Sequence, residues 1–138
     1  MAARDVGRSA GLFLARVSLA GIFLYAGAHK LGDLAGTAHG IAKAGYPLPK
    51  LLATVVALAE LAGGASLLLG LLTTAGCLGL VLLLLPVTYS FHYVRAGGDV
   101  GQLVNTLKNV GLMGGLLALA AAGPGGLSLD ARLLRNRP

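Results

Sequence analysis

The sequence predicts an all-α fold, an integral-membrane four-helix bundle made of two antiparallel hairpins with a kink at Pro86. Of its 138 residues, 56% are hydrophobic and only 12% are charged, and the mean hydropathy is +0.80. That leaves too little polar surface to cover a soluble domain of this size. The apolar residues gather in four stretches, each near the length that crosses a hydrocarbon core of about 30 Å at about 1.5 Å per residue. The 22 glycines suit membrane helices, in which small residues let backbones pack closely.

The first predicted span covers about residues 11–31. Arg4 and Arg8 precede it as they would precede a cleaved signal, but Arg16 interrupts the apolar run such a signal needs, so the segment reads as an anchor. Residues 32–49 include Asp33, Thr37, Pro47 and Pro49 and leave the membrane core, with a short interfacial turn around Ile41. The second span, about 51–72, starts directly after Pro49 and Lys50, and Thr73 and Thr74 make a tight turn into the third, about 75–93. Pro86 removes a backbone hydrogen bond there and predicts a kink that Thr88 or Ser90 helps to satisfy. The fourth span, about 103–122, is polar at its start and ends at Gly123, Pro124, Gly125 and Gly126. Four spans with short joints use up residues 1–138 as one domain.

The net charge of +6 lies in termini and joints, where membrane lipid headgroups explain it better than nucleic acid, for which no basic and aromatic pattern is present. Four crossings put both termini on one side. Arg4, Arg8, Arg132, Arg135 and Arg137 fall there, against Lys30, Lys43, Lys50, Arg95 and Lys108 across the membrane. The equal numbers weaken the positive-inside rule. The terminal set is the more freely placed, so cytoplasmic termini are expected. The lone Cys77 excludes an intramolecular disulfide and a Cys-x-x-Cys exchange pair.

At about 100° per residue, Arg16, Ala20, Phe23, Gly27 and Lys30 form one stripe of the first helix, and Ala53, Ala57, Glu60 and Gly64 one stripe of the second. With Lys30 and Lys50 taken as level, Arg16 and Glu60 differ in depth by about 6 Å, so they are expected to pair in the bundle core. Thr88, Tyr89 and His92 share a turn near the end of the third span. Asn105 and Lys108 share a face continuing through Gly111 and Gly115. Alternating helix direction then gathers Lys30, His92, Asn105, Lys108 and Asn109 around one polar mouth with Glu60 beneath it, suited to an anion, a quinone headgroup or a proton path. For Lys30 and Lys108, snorkelling to headgroups is the competing explanation. His29 and Tyr25 lie nearly opposite the Arg16 stripe and rank below His92. A haem between His29 and His92 is disfavoured because their faces diverge. No metal site is expected; one from His92, Met113 and Cys77 fails because Cys77 lies near the other membrane face.

The closing segment from Leu107 to Asp130, LKNVGLMGGLLALAAAGPGGLSLD, resembles the C-terminal signature of the DoxX family of small membrane proteins. GAHKL at the end of the first span, the GYPLP joint, AELAGGASLLLGLLT and a third span leading to FHY resemble the same family in order and spacing. The resemblance implies a four-helix membrane bundle in the bacterial cytoplasmic (inner) membrane. It also implies an association with respiratory or sulfur redox chemistry, including thiosulfate to quinone oxidoreduction, and with oxidative-stress defence complexes. It implies recurrent positions at Lys30, Glu60, Gly63, Gly64, Gly70, His92, Lys108, Asn109 and Asp130. Leu127 stands where the family often carries a basic residue before SLD.

Residues and resemblance together lead to a subunit of a redox complex with a quinone or quinol site between helices, at most a quinone-linked oxidoreductase subunit. Glu60 is its expected proton carrier and His92 its second catalytic group. Arg16, Lys30, Tyr89, Asn105, Lys108 and Asn109 are the expected ligand contacts. Its partners would be membrane lipid, a separate redox chain and a second copy of itself. A non-catalytic scaffold is the alternative, and an oligomeric small-solute or ion transporter the third reading.

Overall fold

The computed structural model describes residues 3–94 and 97–135; Arg95 and Arg137, counted in the charge balance above, lie outside them. The described residues form α1 (Ala3–Gly32), α2 (Leu34–Lys43), α3 (Pro49–Leu69), α4 (Thr73–Val87), α5 (Val100–Ala122) and α6 (Leu129–Arg135). A π-helical turn over Thr88–Tyr93 prolongs α4. Four helical segments among them are long and apolar enough to cross a membrane: Asp5–Gly32, Pro49–Leu69, Thr73–Tyr93 and Val100–Ala122. They form the predicted all-helical bundle: α1 packs on α3, α3 on α4, α4 on α5, and α5 returns to α1.

The stripes predicted for the first two spans are the ones that pack. Arg16, Ala20 and Phe23 of α1 are buried, as are Ala53, Ala57 and Glu60 of α3. Gly27 sits where the helices approach most closely: a Cβ there would lie 2.8 Å from the Ala57 carbonyl oxygen. Elsewhere the core is aliphatic, with Leu67, Leu80, Leu84, Leu116 and Leu119 closing around Phe23 and Cys77.

The joint after α1 differs from expectation, being a ten-residue helix rather than a loop with one turn. Its start is set by Asp33, whose side chain accepts from the Gly36 N–H at 2.9 Å. Its place is set by Ala38 and Ile41, which bury against Ala53, Leu52 and Phe91. The α3–α4 turn also shifts: Thr73 and Thr74 already belong to α4, because Gly70 ends α3 in the left-handed conformation at φ 66°. At Pro86 the disturbance takes the form of the π-helical turn, in which the Val94 N–H donates to the Tyr89 carbonyl at 3.0 Å. Thr88 and Ser90 do not serve the proline's freed backbone as expected. The Thr88 hydroxyl accepts from Asn109 Nδ2 at 3.1 Å, and the Ser90 hydroxyl pairs with that of Tyr46.

The first turns of α1 and the segment after α5 meet at one end of the bundle. Arg8 donates to the Ala122 carbonyl at 2.9 Å, and the Gly126 N–H to Ser9 at 3.3 Å. Asp130 caps the start of α4 from a distance, accepting from the N–H groups of Leu72 at 2.9 Å and Thr73 at 3.1 Å. Its own N–H donates to the Gly70 carbonyl at 2.9 Å.

Arg16 belongs to this end, so the expected pairing with Glu60 does not occur. Its guanidinium, fully buried, donates to the Leu127 carbonyl, lies 5.6 Å from the Phe13 ring centre and attracts Asp130; Nε and Nη1 have no hydrogen-bond partner among the described residues. The reason is register. Gly27 faces Ala57 and Leu61, and Gly64 faces Leu24, so Lys30 is level with the middle of α3 rather than with Lys50. The first turns of α3 extend past α1 and pack on α2. Arg16, fourteen residues from Lys30, is therefore about 21 Å along the helix from it.

Candidate functional site

Opposite the Arg16 end, α1, α2, α3 and the Pro86 region of α4 enclose a cavity of about 690 Å³, within the range of small-molecule sites. Ala26, Ile41, Leu52, Val56, Leu83 and Val87 give it an apolar wall. Its polar groups come from the end of α1 (Tyr25, His29, Lys30), from Asp33, from Thr37 and Tyr46 on and after α2, and from His92. Tyr25 is 75% exposed, which places the rim on the outer side of α1 and opens the cavity at the flank of the bundle.

Three features set the electrostatics. Lys30 Nζ donates to both oxygens of Glu60, at 2.8 and 2.6 Å, with the lysine side chain 27% and the glutamate side chain 7% exposed. The lysine thus reaches the cavity while the carboxylate stays behind it among packed helices. Asp33 is occupied as the cap of α2. His92 Nδ1 is paired with the Gln102 amide oxygen at 2.8 Å. That oxygen can only accept, so the Nδ1 proton is fixed and a neutral ring has its lone pair on Nε2.

Of the residues proposed from sequence, Lys30 and His92 line the cavity and Glu60 stands behind Lys30. The others lie elsewhere. Tyr89 is exposed and stacks on Tyr93 at 5.9 Å. Lys108 donates to Asn105 at 3.2 Å on the outer surface of α5, and Asn109 is buried against Thr88. The buried face of α5 runs through Asn109, Leu116 and Leu119, not through Lys108 and Gly111. Missed by the sequence reading were Tyr25, His29, Asp33, Thr37 and Tyr46. A signal existed: Tyr25, Ala26, His29, Lys30 and Asp33 recur at helical spacing. Tyr25 and His29 rank low from sequence because they lie opposite the Arg16 stripe, whereas α2 roofs a groove on that flank and brings His29 and His92 to one cavity. Among the described residues no three His, Cys, Asp or Glu side chains gather as metal ligands.

The DoxX family profile matches residues 11–93, more than half the chain. The chain belongs to the DoxX family. It is 34% identical over 124 residues to the inner membrane protein YphA of Escherichia coli (strain K12), covering 88% of this chain and 89% of that protein. It is 35% identical over 127 residues to the inner membrane protein YqjF of the same organism, covering 92% and 94%. No solved structure matches significantly. The profile match holds the cavity's Tyr25, Lys30 and His92, and Glu60 behind them, but stops short of the closing segment. In this DoxX chain Leu127 is 56% exposed, and it is its backbone carbonyl that meets Arg16.

Proposed function

We propose that this DoxX-family membrane protein is a subunit of a redox complex that holds a quinone-type headgroup in the cavity beneath α2. The observation that carries the reading is the cavity's construction: apolar walls open to the bilayer flank, with His29, His92 and the Lys30–Glu60 ion pair converging on it. An isoprenoid or other apolar tail would leave through the flank beside Tyr25. His92, its tautomer fixed by Gln102, would offer Nε2 to a headgroup hydroxyl, and Lys30 would donate to a headgroup oxygen. Electrons would come from a separate redox chain, since this one has a single cysteine, buried in the bundle. The names of its relatives support the inner membrane as its place; cytoplasmic termini follow from the distribution of basic residues alone. A scaffold role has its own support in the buried Arg16 and Asn109 contacts, which tie helices together away from the cavity.

Thermal unfolding of the purified protein with a short-chain quinone decides between them. The quinone should stabilise the wild type and Lys108→Ala alike, and His92→Ala and His29→Ala should weaken the response at least about tenfold, the loss of one good headgroup hydrogen bond. Absence of a shift with any quinone favours the scaffold.

A further inference from the structure

We propose that the cavity selects headgroups bearing an acidic hydroxyl, a phenol or enol, and binds them by moving the hydroxyl proton to Glu60 while Lys30 turns to the resulting oxyanion. This rests on the reading of the cavity as a quinone-type site and names the ionisable form of headgroup that it takes.

The argument starts from the ion pair. Both Glu60 oxygens accept from the one lysine ammonium, and the glutamate side chain is 7% exposed, so it is ionised among packed helices on the strength of that cation. Lys30 faces the cavity as well. If its ammonium turns to a ligand anion while Glu60 stays ionised, a buried carboxylate is left uncompensated, which a low-dielectric interior strongly disfavours. A ligand that brings its own proton removes the conflict. The O–H bond of R–OH breaks, an O–H bond forms on the Glu60 carboxyl, and Lys30 pairs with R–O⁻. Charge is conserved within the site, and no water-borne proton is needed when the acid enters from the bilayer in its neutral form. A headgroup without such a proton leaves the Lys30–Glu60 pair closed and draws at most one hydrogen bond from the paired ammonium beside those of the histidines.

The other titratable groups around the cavity are Tyr25 and His29 on α1, Asp33 at the α1–α2 joint, Tyr46 after α2, and His92 on the π-helical turn. His29 and His92 are the rival proton acceptors; Asp33 already caps α2. On the remaining elements, Lys50 stands at the start of α3, ten residues before Glu60, and Lys108 of α5 is bound to Asn105.

The test uses a 3-alkyl-2-hydroxy-1,4-naphthoquinone and its 2-methyl ether, with the full chain in lipid nanodiscs. Their dissociation constants are measured from two pH units below to two above the probe's own pKa. For the wild type, the affinity for the hydroxy probe should be flat below that pKa and fall about tenfold per unit above it, with one proton taken up per ligand bound from weakly buffered solution. The methyl ether should bind at least tenfold more weakly than the acid. In Glu60→Gln, Lys30 is free for the anion without a proton, so the slope inverts: affinity rises through the probe's pKa and is flat above it. A Glu60→Gln variant with the wild-type slope assigns the proton to a histidine and overturns the proposal. Equal affinity for acid and ether, or binding of the anion without proton uptake, overturns it while leaving a quinone site in place. Should Glu60→Gln not fold, infrared difference spectra of the wild type decide: a protonated-carboxyl band that appears on binding the acid supports the transfer, and its absence overturns it. No binding of either probe and no thermal shift from any quinone would overturn the broader reading and this inference with it, whereas acid binding with proton uptake but no shift from unhydroxylated quinones would sustain both and narrow the site to acidic quinones.

Discussion

Glu60 owes its charge to Lys30, whose ammonium lies 2.6 and 2.8 Å from its two oxygens, and this makes the pair unequal to the sum of its halves. Lys30→Met leaves a carboxylate among packed helices and should lower stability by about 3 kcal/mol; the double variant Lys30→Met with Glu60→Met, which removes both charges, should recover most of it. Unfolding in mild detergent measures both. An additive double variant would mean that the two side chains do not depend on each other. At this scale the sequence was informative about which residues are buried and much less so about their partners. Arg16, Lys30 and Glu60 were each placed on a packing face because periodicity sets direction around a helix axis. Periodicity does not set height. The partner of Glu60 depended on how far α1 and α3 slide past each other, which is decided by the close contact of Gly27 with Ala57 and by the helix that Asp33 starts.

Among the elements, the α3–α4 turn leans most on distant residues. Gly70 at φ 66° and Leu72 at φ 52° both adopt the left-handed conformation, which costs an L-residue such as leucine about 1–2 kcal/mol. Asp130 offsets that cost by accepting from Leu72 N, Thr73 N and the Thr73 hydroxyl. Gly70 also has no room for a side chain, since a Cβ would run into the Arg16 guanidinium. Partial burial works to raise the Asp130 carboxyl, but the hydrogen bonds from Thr73 and Leu72 and the attraction of Arg16 outweigh it and hold the group below its ordinary value of 3.8. A carboxyl depressed in the folded state stabilises the fold above its unfolded pKa and loses that contribution as pH falls through the folded one. Wild-type stability should therefore decline below about pH 4. Asp130→Asn should cost about 1–2 kcal/mol at neutral pH and show a shallower acid decline. A variant with the wild-type acid limb would assign that limb to another carboxyl. The sequence marked Asp130 through family resemblance alone, because nothing in local spacing tells that a residue in the closing segment caps a helix fifty-seven positions earlier.

Across the whole molecule the two ends of the bundle do different work. One is closed by the start of α1, the segment after α5 and the α3–α4 turn, with Arg8, Arg16 and Asp130 joining them. The other holds the cavity, roofed by a short helix packed chiefly through Ala38 and Ile41. Helix α1, at 30 residues, is about 45 Å long and exceeds a hydrocarbon core of about 30 Å, so its ends reach the headgroup regions. Four crossings then place Leu127 and Lys43 on opposite faces of the membrane, and this can be read in intact cells. The native Cys77 is fully buried, so it should resist a membrane-impermeant thiol reagent and serve as the silent background. Cysteines replacing Leu127, 56% exposed, and the exposed Lys43 should each react in disrupted membranes. With the cytoplasmic termini proposed above, the roof of the cavity faces outward and only the Lys43→Cys protein should react in intact spheroplasts. The reverse pattern would invert the orientation while keeping the bundle; reaction of both from outside would place the two ends on one face and contradict the four-crossing fold itself.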